Sequence, residues 1–130
     1  MFVRVYRGIV IAAAAVLLAA CATQPVQTVS QVPIVTNKAN PSIDDIRQAI
    51  VRAATGLGWQ VKTDRPGHML GTLTLRTHVA VVDIDYDTKA YSIKYKDSTN
   101  LFYDGSSIHK NYNGWIQNLD RQIKAQLSTL

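Results

Sequence analysis

From Trp59 to Lys96 the chain alternates apolar and polar residues in four successive runs. Trp59, Val61 and Thr63 alternate with Gln60, Lys62 and Asp64, and Leu73 and Leu75 with Thr72, Thr74 and Arg76. Val82, Ile84 and Tyr86 alternate with Asp83, Asp85 and Asp87, and Tyr91, Ile93 and Tyr95 with Ser92, Lys94 and Lys96. Successive side chains of a strand point to opposite faces, so a period of two reads as antiparallel strands with one buried face. Between the first two runs, Arg65-Pro66-Gly67-His68 has Pro second and Gly third, the composition of a tight turn.

A register must keep both faces consistent. Setting Tyr86 opposite Tyr91 places Ile84 on Ile93, Val82 on Tyr95 and, on the other face, Asp83 on Lys94. Setting Leu75 opposite Val82 places Leu73 on Ile84 and Gly71 against Tyr86. The corner at Thr77-His78-Val79 has no Gly, Asn or Pro, and a bulged continuous strand is an alternative there.

Helices flank this region. Pro41 and Ser42, with Asp45 three residues after the serine, form a helix start. Ile43, Ile46, Ile50, Ala53 and Leu57 follow at spacings of three and four, and Gly56 and Gly58 close the element. A second helix is expected from about Ile108 to Leu127, with Tyr112, Trp115, Ile116, Leu119, Ile123 and Leu127 as its stripe. The order is helix, four-stranded antiparallel meander, helix. With both helices on one sheet face, the fold class is α+β, a two-layer sandwich over residues 41–130.

The first twenty residues carry Arg4 and Arg7, no acid, and a continuous apolar run from Ile9 to Leu18. A bilayer crossing needs about 20 apolar residues, so this shorter run reads as an export signal rather than an anchor. It closes on Leu18-Ala19-Ala20-Cys21, which resembles the lipobox of bacterial lipoproteins. The resemblance implies removal of residues 1–20, a diacylglyceryl group on the Cys21 sulfur and an acylated (palmitate-type) amine. Two or three chains make a durable anchor where one holds weakly. Ala22 after the cysteine, in place of Asp, implies outer-membrane sorting by similarity to enterobacterial lipoproteins, with the domain on the periplasmic side. Cys21 is the only cysteine, so no internal disulfide, catalytic thiol or thiolate metal site can form.

Residues 21–40 are then the lipidated cysteine and a flexible tether. Ala22 to Asn40 is rich in Gln, Thr, Val and Pro, with Lys38 its only charge. A coil of this length would span about 24 Å. An edge strand over Val32 to Val35 is the competing expectation. Without Arg4 and Arg7, twelve basic residues face nine acids, all of them Asp. The bases are scattered, so no nucleic-acid partner is expected.

No catalytic set, metal site or cofactor is expected. Asp83-Ile84-Asp85-Tyr86-Asp87 opens like a calcium loop, but Thr88 and Lys94 stand where such a loop needs Gly and Glu. His68 falls in a turn, His78 at a sheet corner and His109 at a helix start, without metal-ligand spacing. None of Ser98, Ser106 and Ser107 has glycine on both sides, as a nucleophile elbow does. The distinctive segment is the connection 97–107, longer than usual and carrying Leu101, Phe102 and Tyr103. Either its aromatics fold back onto the core, or Asn100, Phe102, Tyr103 and His109 form a partner surface.

The stretches Arg76 to Ile84, Tyr91 to Leu101 and Ile108 to Leu119 resemble small lipoproteins of proteobacteria, a group without an established activity. Only the lipidated Cys21 carries over from that resemblance. The expected function is therefore a lipid-anchored envelope protein that binds a membrane through Cys21 and an envelope protein partner through its domain, without enzymatic activity. The alternative is a small hydrolase or ligand-binding protein using the 97–109 loop.

Overall fold

A computed structural model describes residues 22–130. The expected leader, residues 1–20, and Cys21 lie outside the described residues. The alternating region forms the expected meander: β3 (Gln60–Arg65), β4 (His68–Leu75), β5 (His78–Tyr86) and β6 (Ala90–Thr99). Pro66 and Gly67 make the first turn, and Gly67 has a φ of 87°. A Cβ there would stand 3.0 Å from the Tyr86 carbonyl oxygen, so the turn requires glycine on two counts.

The β5–β6 hairpin pairs as the alternation requires: Tyr86 with Tyr91, Ile84 with Ile93, Asp83 with Lys94 and Val82 with Tyr95. The β4–β5 hairpin differs. Leu75 lies opposite His78 rather than Val82, Leu73 opposite Ala80, Gly71 opposite Val82 and Met69 opposite Ile84. The corner closes on two residues, Arg76 and Thr77, with Arg76 at a φ of 56° in place of the expected Gly or Asn. An even slip leaves the same residues facing inward, so the hydrophobic pattern alone could not separate the two pairings. Packing separates them: a Cβ on Gly71 would meet Val82 at 3.2 Å and Trp59 at 3.3 Å.

The segment expected to be a tether is instead built into the fold. β1 (Thr23–Pro25) pairs antiparallel with β7 (Ser107–His109), and β2 (Val29–Pro33) adds a fifth strand beside β6. The main sheet runs β2-β6-β5-β4-β3. Further bonds hold the segment along its length: Val26 N–H donates to the Ser106 carbonyl, Ile34 to Lys89, and both Asn37 and Lys38 to Leu130. Buried Val29 and partly buried Val26 and Val32 supply the apolar side. A bulge at Gln31, with φ 49°, breaks the alternation that would have announced the strand. The edge strand therefore starts earlier than the expected Val32–Val35 and shares only Val32 and Pro33 with it, and Val35 is 76% exposed.

The helices are α1 (Ile43–Gly56) and α2 (Lys110–Leu127). At the start of α1 the Asp45 N–H donates to the Ser42 hydroxyl, while the Ser42 N–H donates to the Asp45 carboxylate. Ile108, expected in the second helix, belongs to β7. Ile46, Ile50 and Ala53 of α1 and Tyr112, Ile116, Leu119, Ile123 and Leu127 of α2 join Met69, Leu73, Ala80, Val82, Ile84, Tyr91 and Ile93 in one core. Each fully buried aliphatic side chain contributes about 1.5–3 kcal/mol. The fold is thus α+β with both helices on one sheet face, widened by one strand. Among the described residues no helix is long and apolar enough to cross a membrane.

Candidate functional site

Strand directions give the sheet two ends. At one end lie the Arg76–Thr77 corner, the 100–106 loop, β7 and the start of β1. At the other lie the Pro66–Gly67 turn and the β5–β6 turn.

At the first end, Leu101 is 2% exposed and fastens the loop to the core. The His109 N–H donates to the Leu101 carbonyl at 2.7 Å, closing the loop at its base. Tyr103 stacks on Tyr95 with ring centroids 4.0 Å apart, and Tyr95 meets buried Tyr112 edge-on at 5.8 Å. Phe102 does not fold back. It is 71% exposed, has a φ of 55°, and its ring lies 6.2 Å from that of His109. The left-handed conformation costs an ordinary residue about 1–2 kcal/mol, so the loop holds an apolar ring in water against both strain and hydration.

Of the four residues expected at a partner surface, Phe102 and His109 come together, while Tyr103, next to Phe102 in the chain, lies on Tyr95. Asn100 serves the frame instead: its Nδ2 donates to the Thr77 carbonyl at 2.9 Å, and its own carbonyl accepts from the His78 ring at 2.9 Å. The His109 Nδ1 accepts the Asn111 N–H and caps α2. Asp104 is occupied by the Ser106 and Ser107 N–H groups, which hold its carboxyl below the usual carboxylate range. Beside this loop, Gln24, Lys110, Asn111 and Gly114 line a shallow polar hollow of about 410 Å³.

At the other end His68 is buried between two carboxylates. Its Nδ1 lies 2.6 Å from Asp64 and its Nε2 2.8 Å from Asp83. Both carboxylates accept, so both ring nitrogens donate and the ring is held as imidazolium. The bond to Asp64, then that to Asp83, raises the His68 pKa above its ordinary value, and the His68 bond lowers that of Asp64. Lys96 stands 3.6 Å from the same Asp83 oxygen, and Arg65 is 3.1 Å from Asp64.

Sequence reasoning placed His68 in a turn and missed this clamp. The signal was present in Asp64 and His68, four residues apart across a Pro-Gly turn, but the slipped β4–β5 pairing moved Asp83 out of reach. The other carboxylate of interest, Asp87, accepts the Lys89 and Ala90 N–H groups of its own turn. Next to the clamp is a cavity of about 250 Å³ lined by Ile43, Arg47, Asp64, Arg65, Pro66 and Tyr86. Its arginines are paired with Asp44 and Asp64. Among the described residues the buried Tyr86 hydroxyl has no hydrogen-bond partner, and burial pushes its pKa up.

The first end thus offers a surface with exposed aromatics and polar flanks, suited to contact. A fully protonated, doubly bonded histidine has no lone pair with which to act as a base, so the second end suits bracing. No family model, curated protein or solved structure matches the chain.

Proposed function

We propose that this chain is a lipid-anchored protein of the bacterial cell envelope whose domain serves as a non-enzymatic binding or assembly module at the outer membrane. The observation that carries the reading is the sequence Leu18-Ala19-Ala20-Cys21 at the end of a short apolar run behind Arg4 and Arg7. In this reading the leader is cut before Cys21, the sulfur carries a diacylglyceryl group, and the domain stays on the periplasmic side.

The non-enzymatic part rests on how the polar side chains are used. His68 is locked between Asp64 and Asp83, His109 caps α2, and Asp104 holds a turn. The exposed Phe102 and Tyr103 are features of a contact surface. Replacing the sulfur tests the anchor. Cys21→Ser is expected to leave the leader uncut and to remove the acyl mass, both visible by intact-protein mass spectrometry, with altered partitioning into detergent. An unchanged mature mass and unchanged membrane partitioning would overturn the reading.

A further inference from the structure

The strand that begins just after Cys21 in the sequence runs beside the exposed aromatic corner. Cys21 stands two residues before Thr23, and Thr23 lies opposite His109 in the β1–β7 ladder. Two peptide units reach at most about 8 Å, and paired strands lie about 5 Å apart. Covalent reach from Thr23 therefore limits any lipid attachment two residues earlier to about 13 Å from the backbone of His109, whose ring is 6.2 Å from that of Phe102. The polar zone of a bilayer is about 5–8 Å deep on each side. A lipid on Cys21 brings this corner to the membrane surface, whereas a 19-residue coil would let the domain drift about 24 Å away.

Resting on the lipoprotein reading above, we propose that the Phe102–Tyr103 corner docks into the bilayer interface beside the Cys21 lipid and fixes the domain's orientation. The chemistry suits that surface. Phe102 presents an apolar ring 71% exposed, and Tyr103, 42% exposed, presents an amphipathic one of the kind that settles at headgroup depth. Lys110, exposed one residue beyond His109, forms no ion pair among the described residues and faces the sign of charge that anionic lipids carry. Asp104, the one acid in the loop, is turned onto its own backbone by the Ser106 and Ser107 N–H groups. In this orientation the His68 end of the sheet points away from the membrane and is presented to the periplasm.

The test uses the full lipidated chain in vesicles of phosphatidylethanolamine with a minor share of phosphatidylglycerol. A nitroxide is placed through Phe102→Cys and, separately, through Lys89→Cys in the exposed turn at the opposite end. The ratio of oxygen to aqueous nickel-chelate collisions then reports depth. Docking predicts a several-fold higher ratio at position 102 than at position 89. Equal, water-like ratios with the chain still bound to vesicles would overturn docking and leave the anchor standing; they would also be the result if the corner met a protein instead. A chain that fails to bind vesicles, or that takes up two nitroxides because the Cys21 thiol is free, would overturn the anchor itself. If Phe102→Cys fails to fold, judged by its thermal melt, Lys110→Cys is the second reporter, expected at headgroup depth and again drier than position 89.

Discussion

The two ends of the sheet are held by different forces. The end carrying the 100–106 loop depends on an apolar plug, Leu101, and on neutral bonds such as Asn100 to Thr77 and His109 to Leu101. The end carrying the Pro66–Gly67 turn depends on charge: His68 between Asp64 and Asp83, with Lys96 and Arg65 outside them. Apolar burial does not respond to protons, whereas an imidazolium clamp exists only while the ring is charged. The difference teaches that the far end loses its clamp as the ring loses its proton, while the loop end, whose one carboxylate, Asp104, is held below the usual range, feels only stronger acid.

The largest expected effect falls on the first end. Leu101→Ala removes a fully buried side chain and leaves a cavity, which should cost about 2–5 kcal/mol. Chemical denaturation should give the same loss at mildly acidic and mildly alkaline pH. A loss that changed with pH would break the comparison, because it would tie the loop to the charged end.

At the second end the sign of the pH dependence is fixed. The folded pKa of His68 lies above its ordinary value of 6.5, so its contribution is complete below that pH. It fades as the pH rises through the raised, folded value. Asp64 acts oppositely: with its folded pKa below 3.8, its contribution is present above that pH and is lost as acid is added. Stability from the clamp is therefore greatest between these values. His68→Gln should cost about 2 kcal/mol at pH 5, the worth of charge-assisted bonds in a buried setting, and clearly less at pH 9. A pH-independent loss would mean that the ring is neutral when folded.

The period-two runs and the two amphipathic stripes made the meander and both helices legible, down to the pairing of Tyr86 with Tyr91 and Asp83 with Lys94. What stayed hidden has physical causes. The β4–β5 pairing hid because an even slip preserves which face is buried, and because Arg76 takes a left-handed conformation that its residue type does not advertise. Strand β2 hid behind the bulge at Gln31, where the Gln31 N–H donates to the Ser92 hydroxyl and the alternation is lost. Strand β1 hid because its hold on the domain is long-range: the Asn113 amide donates to the Pro25 carbonyl and accepts from the Gln27 N–H. At the candidate surface, the exposure of Phe102 and Tyr103 was one of two outcomes legible from a long connection, and His109 stood out only as the residue at the helix start. The frame role of Asn100 was not legible, because it depends on a corner whose position was misjudged.

The smallest effect sharpens the comparison within the charged end. Lys96 and His68 address the same Asp83 oxygen, but the lysine is half-exposed and 3.6 Å away, beyond hydrogen-bond length, while the histidine is buried at 2.8 Å. Exposed pairs contribute about 0–1 kcal/mol and are screened by salt. Lys96→Met should therefore cost no more than about 0.5 kcal/mol, and that loss should vanish at high ionic strength, where the His68→Gln loss persists. A double-mutant cycle between the two positions separates them by denaturant midpoint. If Lys96→Met cost as much as His68→Gln, Asp83 would be held chiefly by the lysine, and the histidine would not be the main brace at this end.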